Sequence, residues 1–166
     1  MVQLGNADIW KVNSTPGYWQ TSDGRFKRRV TENIPGLSFI SRLRPVTYTL
    51  DIQALAKSNG EDRRRMPDGT WQDVAPTLAQ TKARESSSQI IRTGFIAQEV
   101  EQVAMELGYD FDAVAAPKNP SDKYALSYGL FVVPLVKAVQ ELNAQNTTLA
   151  NDLAAANARL DAQQKE

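Results

Sequence analysis

Leu135, Val139, Leu142, Asn146, Leu149, Leu153, Ala156 and Leu160 follow one another at alternating steps of four and three. No other feature restricts the fold so much. A period of about 3.5 residues stays on one narrow stripe only if the helix winds around a partner. Val139, Asn146, Leu153 and Leu160 take the a positions of the heptad, and Leu135, Leu142, Leu149 and Ala156 the d positions. The stripe is too narrow and too distal for a globular core face. Asn146 at an a position gives up some stability and fixes the register. The expectation is a C-terminal coiled-coil helix over residues 131–166, and therefore an oligomer. Heptads leave two strands and three undivided. The other reading of the same stripe is one amphipathic helix folded back on its own domain.

Upstream, the pattern is that of a small α+β domain. From Asn33 to Leu43 the spacing predicts a helix with Leu37, Ile40 and Leu43 as a single buried stripe. Pro35 suits its first turn, and Pro45 ends it at Arg44. Val46 to Leu50, Gln89 to Phe95 and Lys123 to Ser127 predict short strands. Ile96, Val100, Val103 and Leu107 predict a helix stopped by Gly108, with Phe95, Ile96 and Val100 in the core. Residues 51–88 form a long polar excursion: Asn59-Gly60, the run Glu61-Asp62-Arg63-Arg64-Arg65, Pro67-Asp68-Gly69 and Ser86-Ser87-Ser88. It is expected to be helical in part around Thr77 to Arg84, with Arg63 to Arg65 facing solvent. A connection of that length inside a compact domain is usually functional or mobile. The fold class expected is α+β, a small mixed sheet with packed helices, this excursion and the C-terminal helix. Residues 1–21 are rich in turn formers, yet carry Trp10, Tyr18 and Trp19, which the segment is too short to bury alone. They are expected to lean on another chain or to be the end of a longer upstream segment.

Composition removes several kinds of chemistry. The chain has 166 residues with 19 basic and 19 acidic side chains, and neither histidine nor cysteine. Balanced charge argues against a nucleic-acid partner held by phosphate neutralisation. Without His or Cys, disulfides, structural zinc sites, thiol nucleophiles and imidazole bases are excluded, so neither metal nor cofactor is expected. Acid–base work falls to carboxylates, Lys or Tyr. No apolar run approaches about 18 residues, so no membrane span is expected. Met1 to Trp10 lacks the basic start and apolar block of a signal peptide. No small-molecule substrate is expected.

Against that balance, one stretch is crowded with positive charge. Thr21 to Val30, TSDGRFKRRV, sets Ser22 five residues before Lys27, with Asp23, Arg25, Arg28 and Arg29 around them. Ser, Asp and Gly together are turn residues, and basic clusters are commonly solvated faces. The alternative is a serine nucleophile served by a lysine base. A serine hydroxyl attacks poorly until a base takes its proton. Free lysine, with a pKa of about 10.4, is protonated at neutral pH. Burial and like charge both favour the neutral amine. Arg25, Arg28 and Arg29 would supply the second effect, while Asp23 opposes it unless committed to an arginine.

Four blocks then assemble in order. Ser22-Asp23-Gly24-Arg25-Phe26-Lys27 resembles the S-D-x-R-x-K signature of the self-cleaving intramolecular chaperone domain of phage tail spikes and fibres, of endosialidase-tailspike type. Leu43-Arg44-Pro45-Val46-Thr47-Tyr48 is similar to that family's L-R-P-V-x-Y, and Gly94-Phe95-Ile96-Ala97-Gln98-Glu99-Val100 to its G-F-I-A-Q-E-V. Leu135 to Leu142 is similar to its closing helix. The resemblance implies a homotrimeric chaperone that assembles an upstream fibre segment, its client, and then severs itself. It implies Ser22 as nucleophile, Lys27 as base and Thr21–Ser22 as the scissile bond, with Asp23, Arg25, Arg29 and Gln98 in support. It divides the chain into the end of a client segment at 1–21, a chaperone and autopeptidase domain at 22–130 and the coiled-coil helix at 131–166. Protruding segments grip the client in this family, which makes residues 51–88 the candidate gripping arm. The implied location is a virion tail fibre or similar appendage assembled in the bacterial cytoplasm.

The implied cut suits the chemistry. Ser22 Oγ can close a five-membered ring on the Thr21 carbonyl carbon, giving an ester that water resolves, and the chain itself supplies proximity. One departure stands beside it. The family commonly follows its lysine with x-N-I, whereas Arg28-Arg29-Val30 occupies that place here, and Asn33-Ile34 restores the letters out of register. An asparagine that holds the site or the oxyanion would be missing, which would slow or abolish the cut. A non-cleaving trimerisation module, retained as a cap or adaptor on a fibre or injection apparatus, is the competing expectation. The resemblance extends to the myelin regulatory factor, but a transcription-factor precursor of that kind needs a DNA-binding domain that the short segment upstream of Ser22 does not contain. Glu99 is expected to be a helix-start polar group. For Arg44, pairing across a trimer and simply preceding Pro45 are both open.

Overall fold

The computed structural model describes residues 20–120 and 122–164. Trp10, Tyr18 and Trp19, and the expected upstream segment as far as residue 19, lie outside the described residues. In chain order the elements are α1 (Leu37–Ile40), β1 (Val46–Tyr48), α2 (Ile52–Ser58), β2 (Arg63–Arg65), β3 (Trp71–Asp73), α3 (Leu78–Ser88), β4 (Arg92–Gly94), α4 (Ala97–Glu106), β5 (Val114–Ala115), β6 (Ala125–Leu126) and α5 (Val132–Gln163). They fall into two compact units. One holds the described residues up to Arg29 together with Pro45–Gly94, the other Val30–Arg44 together with Phe95 onward.

The small mixed sheet expected from the sequence is instead a set of two-stranded antiparallel ladders, β1 with β4, β2 with β3 and β5 with β6. In the first, Val46 stands opposite Gly94 and Tyr48 opposite Arg92. Strands of two or three residues expose too little apolar face to recruit further neighbours.

In the unit formed by Val30–Arg44 and Phe95 onward, the core is aromatic. Phe39 is fully buried and packs edge-on to Tyr109 at 5.3 Å and to Phe111 at 5.0 Å. Phe111 meets Phe131 at 5.0 Å, and Phe131 stacks on Phe95 at 5.3 Å. Val100 and Ala104 complete it from α4. Two expectations are corrected. The helix from Asn33 to Leu43 shrinks to the single turn α1, and its buried residue is Phe39, while Leu37, Ile40 and Leu43 are half-buried. Ile96 is exposed: it is the N-cap of α4, at the open end of the helix face that carries Val100. The stop at Gly108 holds: its φ of 61° is left-handed, a conformation glycine adopts without a Cβ penalty.

The contact of α1 with α5 needs a residue with no side chain. Gly36 precedes α1 and lies against the backbone of α5 at Lys137 and Ala138. Glu141 Oε2 accepts the Leu37 N–H at 2.7 Å, taking the place of the side-chain cap that Gly36 lacks. Pro134, Ala138 and Glu141 therefore make the docked side of α5. The stripe from Leu135 to Leu160 lies about a quarter-turn around the helix, at 100° per residue. It stays open: Val139 is 63% exposed, Leu149 65% and Leu153 63%.

In the other unit, residues 51–88 carry α2, β2, β3 and α3. Asp51 caps α2 by accepting from Ala54 N at 2.8 Å. Thr77 and Gln80 form a reciprocal capping box on α3, which covers the helix expected from Thr77 and extends it to Ser88. Ile52 and Ala56 are buried on α2. Arg84 of α3 is buried to 2% exposure, donating to Asp62 Oδ1 at 2.8 Å and Gln53 Oε1 at 3.2 Å. Arg63 to Arg65 lie on the exposed β2, as expected.

Replacing Gly36 by alanine places a methyl group 2.7 Å from Ala138 N and 2.8 Å from Lys137 C, both backbone atoms that cannot swing aside. Gly36→Ala is expected to destabilise the protein by about 1–3 kcal/mol, typical of overpacking. The check is a lower urea midpoint at unchanged m-value.

Candidate functional site

The stretch Thr21 to Arg29 is a self-organised turn. Asp23 is the N-cap of a 3-10 turn at Gly24–Phe26, in extended conformation, and its Oδ1 accepts from Arg25 N at 2.9 Å. Phe26 N donates to Asp23 O and Lys27 N to Gly24 O, each at 3.1 Å. The turn brings the two ends of the motif together: Lys27 Nζ donates to Ser22 Oγ at 2.9 Å. Five residues of extended chain would hold these groups far apart, so the tight turn is what makes the spacing meaningful.

The acid in the cluster is occupied elsewhere. Asp23 Oδ2 receives Arg25 Nη2 at 2.6 Å and Oδ1 receives Arg25 Nε at 3.1 Å, a bidentate pair. The side-chain hydrogen bonds from Arg25, with the Arg25 backbone N–H second, hold the Asp23 carboxyl below its ordinary range, and the pair raises Arg25 in return. Asp23 is thus spent on an arginine and does not bond to the Lys27 amine. Thr21, Ser22 and Lys27 are all exposed, as is Phe26 at 75%. Arg28 turns inward along the chain, Nη1 donating to Arg25 O at 2.8 Å and Lys27 O at 2.9 Å. Nothing in the sequence beyond its position singled Arg28 out for that contact.

The remaining expected residues divide. Arg29 is exposed and has a φ of 53°. Gln98 is exposed in the first turn of α4, which belongs to the other unit. Glu99, on the same turn, accepts from Nε and Nη2 of Arg44 on its two carboxylate oxygens, so Arg44 has a partner within its own chain. Arg42 pairs similarly with Glu106. Tyr124 donates to Glu101 at 2.7 Å, a bond that raises the phenol's pKa. No helix among the described residues is long and apolar enough to cross a membrane.

Compared with known families, residues 22–109 match the family described as chaperone of endosialidase, a span of more than half the chain that begins at Ser22. No curated protein and no solved structure matches the chain.

The Asp23 pair has a measurable pH signature. A carboxyl whose folded value is depressed contributes stability above its ordinary value of 3.8, and that contribution is lost as pH falls through the lower folded value. The Asp23 carboxyl resonance is expected to titrate below 3.8 in the parent protein and to return towards it in Arg25→Ala. A midpoint unmoved by Arg25→Ala contradicts the pairing.

Proposed function

We propose, because this chain belongs to the chaperone of endosialidase family, that it is a trimeric intramolecular chaperone for a tail-fibre or spike segment and releases itself at the Thr21–Ser22 bond. Residues 1–21 are then the end of the client and 22–130 the chaperone and autopeptidase domain. Residues 51–88 are the arm that grips the client, and 131–166 the helix that joins three copies.

The observation that carries the cleavage is the 2.9 Å approach of Lys27 Nζ to Ser22 Oγ. In the free-amine form, Nζ accepts the hydroxyl proton as Oγ bonds to the Thr21 carbonyl carbon. The five-membered intermediate collapses with rupture of the C–N bond, and the proton passes to the Ser22 nitrogen. An ester on Ser22 remains. Water hydrolyses it to a Thr21 carboxylate and restores the serine hydroxyl. With Asp23 held by Arg25, no carboxylate in the turn bonds to the amine and stabilises its charged form. Desolvation is the missing ingredient, since Ser22 and Lys27 are exposed in a single chain. Neighbouring copies would supply it, so that cutting waits on assembly.

The exposed stripe of α5 supports that assembly. Leu135, Val139, Leu142, Leu149, Leu153 and Leu160 are all at least 44% exposed, and burying each in a seam contributes about 1.5–3 kcal/mol. Asn146 within the stripe sets the register.

Freshly expressed protein is expected to yield a fragment whose N-terminal residue is Ser22, seen by electrophoresis and mass spectrometry. Ser22→Ala abolishes it, and Lys27→Met slows it by about 10²–10⁴-fold. An intact trimer that never cuts instead establishes a retained cap or adaptor.

Light scattering of Ser22→Ala protein is expected to give three chains. Placing charge in the seam with Leu149→Asp and Leu153→Asp dissociates them at micromolar concentration. A monomeric parent protein overturns the trimer.

A further inference from the structure

The self-cleavage reading gives Arg28 only its positive charge and Arg29 an unspecified supporting place, yet both are built into the backbone that carries the base. Arg28 Nη1 joins two carbonyls, Arg25 O inside the 3-10 turn at 2.8 Å and Lys27 O just after it at 2.9 Å. The peptide leaving Lys27 is therefore tied to the turn that precedes it. Arg29 is the one non-glycine residue with positive φ among the described residues, at 53°. An L side chain in that region crowds the following carbonyl oxygen, and the conformation persists where the surroundings over-determine it. Lys27 itself is extended, with φ −84° and ψ 141°. Its flexible four-carbon stalk leaves a backbone fixed on one side by Asp23 and Arg25, and on the other by Arg28 and Arg29.

We infer that Arg28 and Arg29 are positioning residues for the Lys27 amine, Arg28 through its carbonyl clamp and Arg29 through its left-handed backbone. The inference rests on the self-cleavage reading. It makes the two residues differ in kind. At 28 the guanidinium is required, whereas at 29 only the backbone conformation matters and the side chain is dispensable.

The test is the rate at which the Ser22 fragment appears in a set of variants, with the melting temperature of each variant measured in a Ser22→Ala background. Arg28→Ala is expected to cut at least about tenfold more slowly, and Arg28→Lys to recover part of the rate through a single donor. Arg29→Val slows the cut by about tenfold or more, because β-branched residues resist positive φ. Arg29→Gly and Arg29→Asn, which accept it, cut as fast as the parent or up to about tenfold faster. Melting temperatures stay within a few degrees of one another. Arg28→Ala at the parental rate, Arg29→Gly slower than Arg29→Val, or rates that simply follow melting temperature each overturn the positioning role. If every protein cuts alike, this inference alone falls. If none cuts, the parent included, the self-cleavage reading falls and takes the inference with it.

Discussion

Gly36 stands so close to the backbone of α5 that a single methyl group has no room between them. That approach lets Glu141 cap α1, seats Phe39 in the aromatic core and fixes which side of α5 is docked. Because the docked side is Pro134, Ala138 and Glu141, the leucine stripe is left free a quarter-turn away. A bulkier residue at 36 would force the helices apart and loosen the core that positions α5. The long helix is thus anchored at its first turns and presents an unpartnered apolar edge along the rest of its length.

The turn at Ser22 obeys a different economy of contacts. It is held by interactions within a few residues of one another: the Asp23 cap, the Arg25 pair, the Arg28 clamp and the bend at Arg29. Such a turn needs no neighbouring element to acquire its shape. What a local turn does not do is exclude water. In the proposed mechanism geometry is preset in each chain, and the environment that activates it arrives with the other copies. A nucleophile and base that are aligned but solvated would react slowly until then, which delays release past the folding of the client.

Signals of two ranges were legible in different degrees. Long periodic patterns survived: α4 from its Val100 spacing and α5 from its heptads. The helix expected around Thr77 is also present, and the structure shows the capping box with Gln80 that starts it. The approach of Lys27 to Ser22 was one of two readings of the turn, and the sequence left open whether Asp23 opposes the lysine or is committed to an arginine; the structure pairs it with Arg25. The α1 turn was misjudged, since its apolar spacing competes with Gly36 and its limits are imposed by α5. The polar run 51–88 concealed a buried Arg84, whose partners Asp62 and Gln53 come from turns that composition describes only as hydrophilic. The sheet was overestimated because strand propensity carries no information on which ladder a strand will join.

The sequence by itself determined the helical periods, the turn chemistry around Ser22 and the exclusion of thiol and imidazole catalysis, all of which depend on residue type and short spacing. Only the tertiary structure decided that Phe39 is buried in place of the leucine stripe, that Arg44 belongs to Glu99, and that α5 docks by its Ala138 side. Each of these is a contact between segments distant in the chain. Such contacts are selected by shape and by competition for partners, quantities that exist only once the chain has folded.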